Sequence, residues 1–482
     1  MKSRFLLACG AVVALAGCAA GPNYRTPAVE LPATWQIESP WHEGRPGDTM
    51  PKGPWWQRFG DPQLDTLEQQ ALANSPTLAA ASARLAQARA SVTVARASLF
   101  PQLAVGTRLA RQKISQNRPL TNYQSPNFST VQNDFVAAFA VNYEVDLSGR
   151  IARTIEGAQA TAEQSAADLE NTRLLLAAEL ASDYFSMREL DSELDVLAHS
   201  IDLQRHALEF ATARHDLGAA SGLDVAQAQA LLDSTLAQVD VVRKQRSQFE
   251  HAIATLTGTP APSFALAPEV RAYVIPNVPL AVPSEVLERR PDVASAERAM
   301  AAANAQIGIA TAAFYPSILI GPAYGVESTS LATLFSAPSL LWSVGVSIAQ
   351  PLIDAGRIRG GVDFARGGYD MTVANYRRVV LTAMQEVEDG ITGLAALDRA
   401  GTQAEVAIQS ARHVLDLASS RYEGGIATYL DVITAQQALL NSERFATQLR
   451  GQRLVTWVFL VKALGGDWKV GANVAATGPQ VR

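Results

Sequence analysis

Residues 131–147 read VQNDFVAAFAVNYEVDL, and the fold class follows from this stretch. Its odd positions carry Phe135, Ala137, Phe139, Val141, Tyr143, Val145 and Leu147, while Val136, Ala138, Ala140, Asn142, Glu144 and Asp146 stand between them. A period of two puts one set on each side of an extended chain, so the segment reads as a strand with one apolar face and one small or polar face. The pattern returns over 340–352, where Leu340, Trp342, Val344, Val346 and Ile348 alternate with Leu341, Ser343, Gly345, Ser347 and Ala349. Each stretch follows another strand candidate, 101–113 in one case and 317–327 in the other. The loops between them hold Asn, Ser, Thr, Pro and Gly, as surface loops do.

The two strand pairs belong to a tandem duplication. Ser75-Pro76 through Phe100-Pro101 aligns without a gap on Arg290-Pro291 through Tyr315-Pro316, 215 residues later. Beyond the strands the spacing is 207: Gly149-Arg150-Ile151 matches Gly356-Arg357-Ile358, Leu223-Asp224-Val225 matches Leu430-Asp431-Val432, and Gly258 matches Gly465. The copies therefore differ by one loop between Pro316 and Gly356. The expected organisation is a segment over 18–60, a first repeat over 61–259, a Pro-rich link over 260–283, a second repeat over 284–466 and a tail over 467–482.

All 24 prolines avoid residues 127–259 and 352–478, which should be mostly helix. Val380, Val387, Leu394, Gly401, Ile408, Leu415 and Tyr422 recur every seven residues, and so in the first copy do Arg173, Leu180, Met187, Leu194, Ile201, Leu208 and His215. A sustained seven-residue period implies helices that wind round neighbours. A helix from Arg150 to Asp216 is roughly 100 Å long at 1.5 Å per residue, too long for a compact domain. The helix before each strand pair is Ala-rich, which permits close lateral packing.

Residues 1–17 read as a secretory signal peptide, with Lys2 and Arg4 followed by the apolar run Phe5 to Ala16. Leu15-Ala16-Gly17-Cys18 resembles the bacterial lipobox, which implies cleavage before Cys18 and a lipid-bearing thiol there. Ala19 after it implies sorting to the outer membrane. No later run of 18 apolar residues exists, so a membrane crossing has to use strands. Four strands cannot close a barrel, and open edges in lipid leave backbone groups unpaired at several kcal/mol each. A spanning chain must therefore be an oligomer. Two copies give eight strands and a filled interior, three give twelve and a wet one, and transport favours three. With 48% hydrophobic and 18% charged residues and a net charge of −6, the chain is neither disordered nor a basic nucleic-acid binder.

Specific motifs then point to a family. They are Gly21-Pro22-Asn23-Tyr24, Leu287-Glu288-Arg289-Arg290-Pro291-Asp292-Val293 with Ala296-Glu297, Ala305-Gln306-Ile307-Gly308, Phe314-Tyr315-Pro316, Gln350-Pro351-Leu352-Ile353-Asp354-Ala355-Gly356 and Tyr429-Leu430-Asp431-Val432. Across nearly the whole mature chain the sequence resembles TolC-like outer-membrane efflux factors of the lipoprotein, NodT-type branch. The resemblance implies an α+β membrane protein, a homotrimer with a twelve-stranded β-barrel in outer-membrane lipid. Long antiparallel helical hairpins would continue it as a periplasmic α-barrel. It also implies passive export through the exit duct of a tripartite pump, opened by a periplasmic adaptor protein and fed by an inner-membrane RND-type transporter. One alternative is the outer duct of a type I protein-secretion system. Another, of a different class, is a lipid-anchored coiled-coil scaffold that never spans the membrane.

Function should concentrate in the turns between paired long helices, Arg214 to Asp224 and Arg421 to Asp431. Gly218 and Gly425 suit left-handed helix ends, and Ser221 with Asp224, like Thr428 with Asp431, has capping-box spacing. The resemblance adds a second role for Asp431 and Asp224, as acidic residues lining a periplasmic gate. It also makes Tyr422 a tie between helix pairs, although Tyr422 equally continues the seven-residue apolar stripe. At Ala427 some members carry a basic residue, so a lock built on that position is not expected here. The surfaces of Gly218, Ser221, Gly222, Gly424, Gly425 and Thr428 are expected to dock the adaptor. No catalytic residues, cofactor or metal site are expected: the phosphate-loop, HExxH and GxSxG patterns are absent. His199 and His206, seven apart on one helical face, read as solvated surface residues.

Overall fold

A computed structural model describes residues 20–26, 53–117, 130–276 and 290–466. The signal segment, Cys18 and the tail 467–482 lie outside the described residues, as do parts of the 18–60 segment and of the Pro-rich link. In chain order the elements are α1 (Pro62–Asn74), α2 (Pro76–Ala97), β1 (Gln102–Ile114), β2 (Thr130–Val145), α3 (Arg150–Asp216), α4 (Gly222–Leu256), α5 (Pro291–Ala312), β3 (Ser317–Ile320), β4 (Ala323–Ser328), β5 (Leu340–Ser343), β6 (Val346–Ala349), α6 (Arg357–Glu423) and α7 (Tyr429–Ala463). Two compact units result. The first takes its described residues from Met1–Ala28, Leu85–Ser165 and Ala296–Tyr376, the second from Val29–Arg84, Ala166–Ser295 and Arg377–Arg482.

The first unit holds an antiparallel sheet of four rows: β1, β2, then β3 with β4, then β6 with β5. Six strands fill these rows, a correction to the four unbroken strands expected. The third row breaks at Gly321-Pro322 because proline has no N–H to give to the ladder. Register survives the break: the Pro322 carbonyl accepts the Val141 N–H at 2.9 Å, and the Gly321 N–H reaches the Gly345 carbonyl at 3.1 Å. The fourth row breaks at Val344-Gly345 and ends at Ala349, before Pro351. β2 ends at Val145 and not Leu147, whose N–H folds back to the Val145 carbonyl at 2.9 Å.

Residues paired across antiparallel strands share a face. Val105, Phe139, Tyr324 and Trp342 therefore form one line across all four rows. Leu103, Val105, Leu109, Trp342, Val346 and Ile348 share that face and are each 63–71% exposed. The opposite face carries small residues such as Ala104, Gly106, Ala138, Ala140 and Ser347, together with the Arg108–Asp134 pair.

Below the strand ends, the segment Ala20–Tyr24 is clipped between α3 and α5. The Ala20 N–H donates to the Ser148 carbonyl at 2.9 Å. The buried Arg153 donates to the Ala20 carbonyl at 3.3 Å, to the Gly21 carbonyl at 3.4 Å and to Asn23 Oδ1 at 2.8 Å. Asn304 Nδ2 meets the Pro22 carbonyl at 3.0 Å, and the Tyr24 hydroxyl donates to Glu297 Oε1 at 2.7 Å. Close approach is what the glycines supply. A Cβ on Gly308 would stand 2.8 Å from Arg153 Cγ and 3.0 Å from the Ala20 carbonyl oxygen, and one on Gly21 would stand 2.6 Å from Gly308 Cα.

The second unit is cored by Trp55, Phe59, Tyr184, Phe185 and Trp457. Phe59 lies 4.5 Å from Phe185 and 4.7 Å from Trp457 between ring centroids. Along the expected seven-residue stripe Leu180, Met187, Ile201, Val380, Val387 and Ile408 are buried and Leu194, Leu208, Leu394 and Leu415 half-buried, whereas Arg173 and His215, at the two ends of the first copy's stripe, are exposed. Asp61 caps α1 through the Gln63 and Leu64 amides and also accepts from the Tyr184 hydroxyl at 2.7 Å and the Tyr273 hydroxyl at 2.8 Å. Burial would raise its pKa, but these donors outweigh it and hold the carboxyl below its ordinary value. Asp191 is held at 2.6 Å by both Arg188 and Arg246, whose further N–H groups tie down the Ala267 and Leu266 carbonyls of the link. Arg290 joins the start of α5 to Asp292, Glu386 and the Ala463 carbonyl, which gives the Arg-Arg-Pro-Asp motif its structural work.

Two predictions follow from these contacts. Gly308→Val should displace the N-terminal clip at a cost of about 1–3 kcal/mol, typical of overpacking, read as a lower midpoint of thermal unfolding. Burial, then the neighbouring Glu193, pushes Glu189 up to about 7. A carboxyl raised in the folded state stabilises it while protonated, an effect complete below about 4.5 and lost as pH rises through about 7. Glu189→Gln should therefore raise Tm at pH values above that window and leave it unchanged below it.

Candidate functional site

The two turns of the second unit are built by the same local chemistry. α3 stops at Gly218, whose φ of +76° needs no side chain, and the Ala219 N–H returns to the Arg214 carbonyl at 2.8 Å. α6 stops in the same way at Gly425, φ +73°, with the Ile426 N–H on the Arg421 carbonyl at 2.8 Å. Ser221 Oγ starts α4 by accepting the Leu223 N–H at 3.1 Å.

The equivalent acids Asp224 and Asp431 then part company. Asp431 closes a capping box, accepting the Thr428 N–H at 3.0 Å and the Thr428 hydroxyl at 2.9 Å, both on Oδ2. Asp224 is turned instead toward Tyr422, whose hydroxyl lies 3.5 Å from Asp224 Oδ2. That distance is long for a hydrogen bond between oxygens, so the pair is a loose one. Gly218, Ser221 and Gly222 lie on the first turn, and Gly424, Gly425 and Thr428 on the second. All six are exposed turn surface; Gly218 and Gly425 also end helices, and Ser221 and Thr428 also start them.

A firmer tie comes from Arg214, which sequence reasoning missed. Its Nη1 donates to the Tyr422 carbonyl at 2.9 Å, and its guanidinium stands 4.9 Å from the Tyr422 ring centroid and 5.8 Å from that of Phe210. One cation thus engages the end of α6 from the end of α3 by a hydrogen bond and a cation–π contact. Behind it Tyr422 and Tyr429 pack at 5.2 Å with Ala228, Leu231, Val432 and Ile433. Burial first, then the adjacent Tyr422 and the Asp224 charge, pushes the Tyr429 phenol up to about 12, and burial with Asp224 raises Tyr422 as well. Both phenols stay protonated, and the Tyr422 hydroxyl faces Asp224 as a donor.

The tips also expose apolar side chains that no periodicity singled out: Leu217, Leu223, Ile426 and Leu430. The available signal was their position inside Gly- and Ser-containing turns, where polar residues are usual. The two histidines are each paired locally, His199 with Asp195 and His206 with Glu209, both at 3.6 Å. Among the described residues no group of three His, Cys, Asp or Glu side chains is placed to hold a metal, and no helix is long and apolar enough to cross a membrane.

The profile of the family described as "Outer membrane efflux protein" matches residues 67–259 and again 282–466. The chain belongs to that family. The pyoverdine export outer membrane protein OpmQ of Pseudomonas aeruginosa is 30% identical over 470 residues, covering 97% of this chain and 98% of the relative. The toluene efflux pump outer membrane protein TtgF of Pseudomonas putida is 31% identical over 484 residues, again 97% and 98%. Among solved structures the outer-membrane channel OprN superposes with a TM-score of 0.84 at 27% identity, over 94% of this chain and all of that one. As an outer membrane efflux protein, the chain is a transport conduit of the outer membrane with a periplasmic helical extension. Proteins of this family form trimers and work with adaptor and inner-membrane pump partners.

The division of labour between the two acids is measurable by amide exchange. Asp431→Ala should remove a cap worth about 1 kcal/mol and speed hydrogen exchange at the Thr428 amide. Asp224→Ala should leave that amide as slow as before.

Proposed function

We propose that three copies of this chain join their sheets into a twelve-stranded barrel in outer-membrane lipid, and that this barrel is the exit of a tripartite efflux pump. The observation that carries the reading is a four-row sheet with two unpaired edges and one apolar face on which Leu103, Val105, Leu109, Trp342, Val346 and Ile348 of the outer rows are exposed. In hydrocarbon each unpaired backbone group costs several kcal/mol, so edges must meet edges. The opposite face, small and polar, suits a water-filled interior. The export names of the relatives support a cargo of drugs or other small toxic organic compounds. Lipid attached to Cys18 fits the clip: Ala20, two residues later and so within about 7 Å of chain, is held beside the end of β2.

The tip cluster of Arg214, Tyr422 and Asp224 is the closing lock in this reading, and Asp431 adds negative charge at the mouth. An adaptor opens it by taking over the turns, where Gly218, Ser221, Gly222, Gly424, Gly425 and Thr428 let a partner backbone approach. Leu217, Leu223, Ile426 and Leu430 offer it apolar surface. The lock contacts are individually worth about 1 kcal/mol, which an adaptor interface can exceed.

Planar-bilayer recording of the purified protein tests the proposal. Arg214→Ala removes about 1–2 kcal/mol from the closed state and should raise the open population roughly tenfold. Asp431→Asn should reduce cation preference with little change in opening. Absence of any conductance in wild type and Arg214→Ala alike would reject the duct.

A further inference from the structure

We infer the register of the seam between neighbouring copies: Val346 of one chain lies opposite Leu109 of the next, and Gly345 lies opposite Ala110. The inference rests on the barrel proposed above and goes beyond it by naming which residues meet.

The repeat offsets measured in the sequence are obeyed by the sheet. Ile318 pairs with Ile348, and the residues 215 and 207 positions earlier, Leu103 and Val141, also pair. Tyr324 pairs with Trp342, and their counterparts Leu109 and Phe135 pair as well. The two hairpins therefore have one register, although their loops differ in length. Within the chain, a third seam joins the hairpins, where Phe139 meets Tyr324 and Ala138 meets Gly325. The seam between chains is the repeat image of this one, with the first hairpin's inner strand replaced by β6 and β5 and the second hairpin's by β1. Carrying Phe139 forward by 207 gives Val346, and carrying Tyr324 back by 215 gives Leu109. Two residues along the same antiparallel register, Ile348 lies opposite Thr107.

The faces agree with this register. A one-residue slip would turn every side chain to the other face, yet the derived pairs place the apolar Val346 and Ile348 opposite Leu109 and Thr107 of the same face.

Cysteine pairs test the seam in the full-length, membrane-extracted protein. Adjacent antiparallel pairs alternate between closer and wider Cα spacing, so one pair is taken on each face: Val346→Cys with Leu109→Cys, and Ser347→Cys with Arg108→Cys. Under mild oxidation, at least one should give covalent trimer roughly tenfold faster than the slipped pairs Val346→Cys with Thr107→Cys or with Arg111→Cys, whose Cα atoms are too far apart for a disulfide. The reduced variants are sized first in detergent. A trimer that cross-links best at a slipped pair, or at none of these, overturns the register and leaves the trimer standing. A protein that sizes as a monomer overturns the barrel itself.

Discussion

Every peptide carries a donor and an acceptor that hydrocarbon will not satisfy, and this constraint organises the molecule. Four antiparallel rows satisfy their inner N–H and C=O groups against one another and leave two edges bare. Because the number of rows is even, the first and last rows run in opposite directions. Identical chains can therefore meet edge to edge in a ring without any of them being inverted, the arrangement that closed rotational symmetry requires. The exposed apolar face and the small-residue face are the lateral counterparts of the same demand, one side for lipid and one for water.

Elsewhere the chain is held by the ordinary means of a water-soluble protein. The second unit buries a cluster of aromatic rings and surrounds two of its buried carboxylates with donors: Asp61 has two phenols and two amides, and Asp191 has two guanidiniums. Breaking such a buried arrangement costs several kcal/mol. The turns at the far ends of α3 and α6 are different in kind. Beside a small apolar cluster around Tyr422 and Tyr429, their polar tie is one hydrogen bond, one cation–π contact and one loose carboxylate–phenol pair, partly exposed to solvent. The contrast sets where motion is cheap, since a local opening samples the least stabilised contacts first.

Much of this was legible in the residues. The alternation over 131–147 identified the sheet and its faces, and the absence of proline together with the seven-residue stripe identified the long helices and their buried seams. Gly218, Gly425, Ser221 and Thr428 marked both turns. Less legible were the breaks in the third and fourth rows, because Pro322 withholds a donor from the ladder without disturbing the alternation around it. The clip of Ala20–Tyr24 was visible only as unexplained motifs, Gly21-Pro22-Asn23-Tyr24 and Ala305-Gln306-Ile307-Gly308, whose meaning depends on two backbones touching. Sequence also made Asp224 and Asp431 equivalents, which they are not in the folded chain.

What the sequence determined by itself were the features carried by neighbours along the chain: strand period, helix length, caps, turn glycines and the duplication. These depend on backbone geometry that repeats every two or seven residues and needs no distant partner. The tertiary structure alone decided that Arg214 reaches Tyr422, that Asp224 faces a phenol while Asp431 stays on its own helix, and that Gly308 gives passage to Gly21. Each of those contacts joins residues about two hundred positions apart or more, except Asp431's own cap, and only the packing of one helix or segment against another brings such groups within hydrogen-bond or van der Waals range.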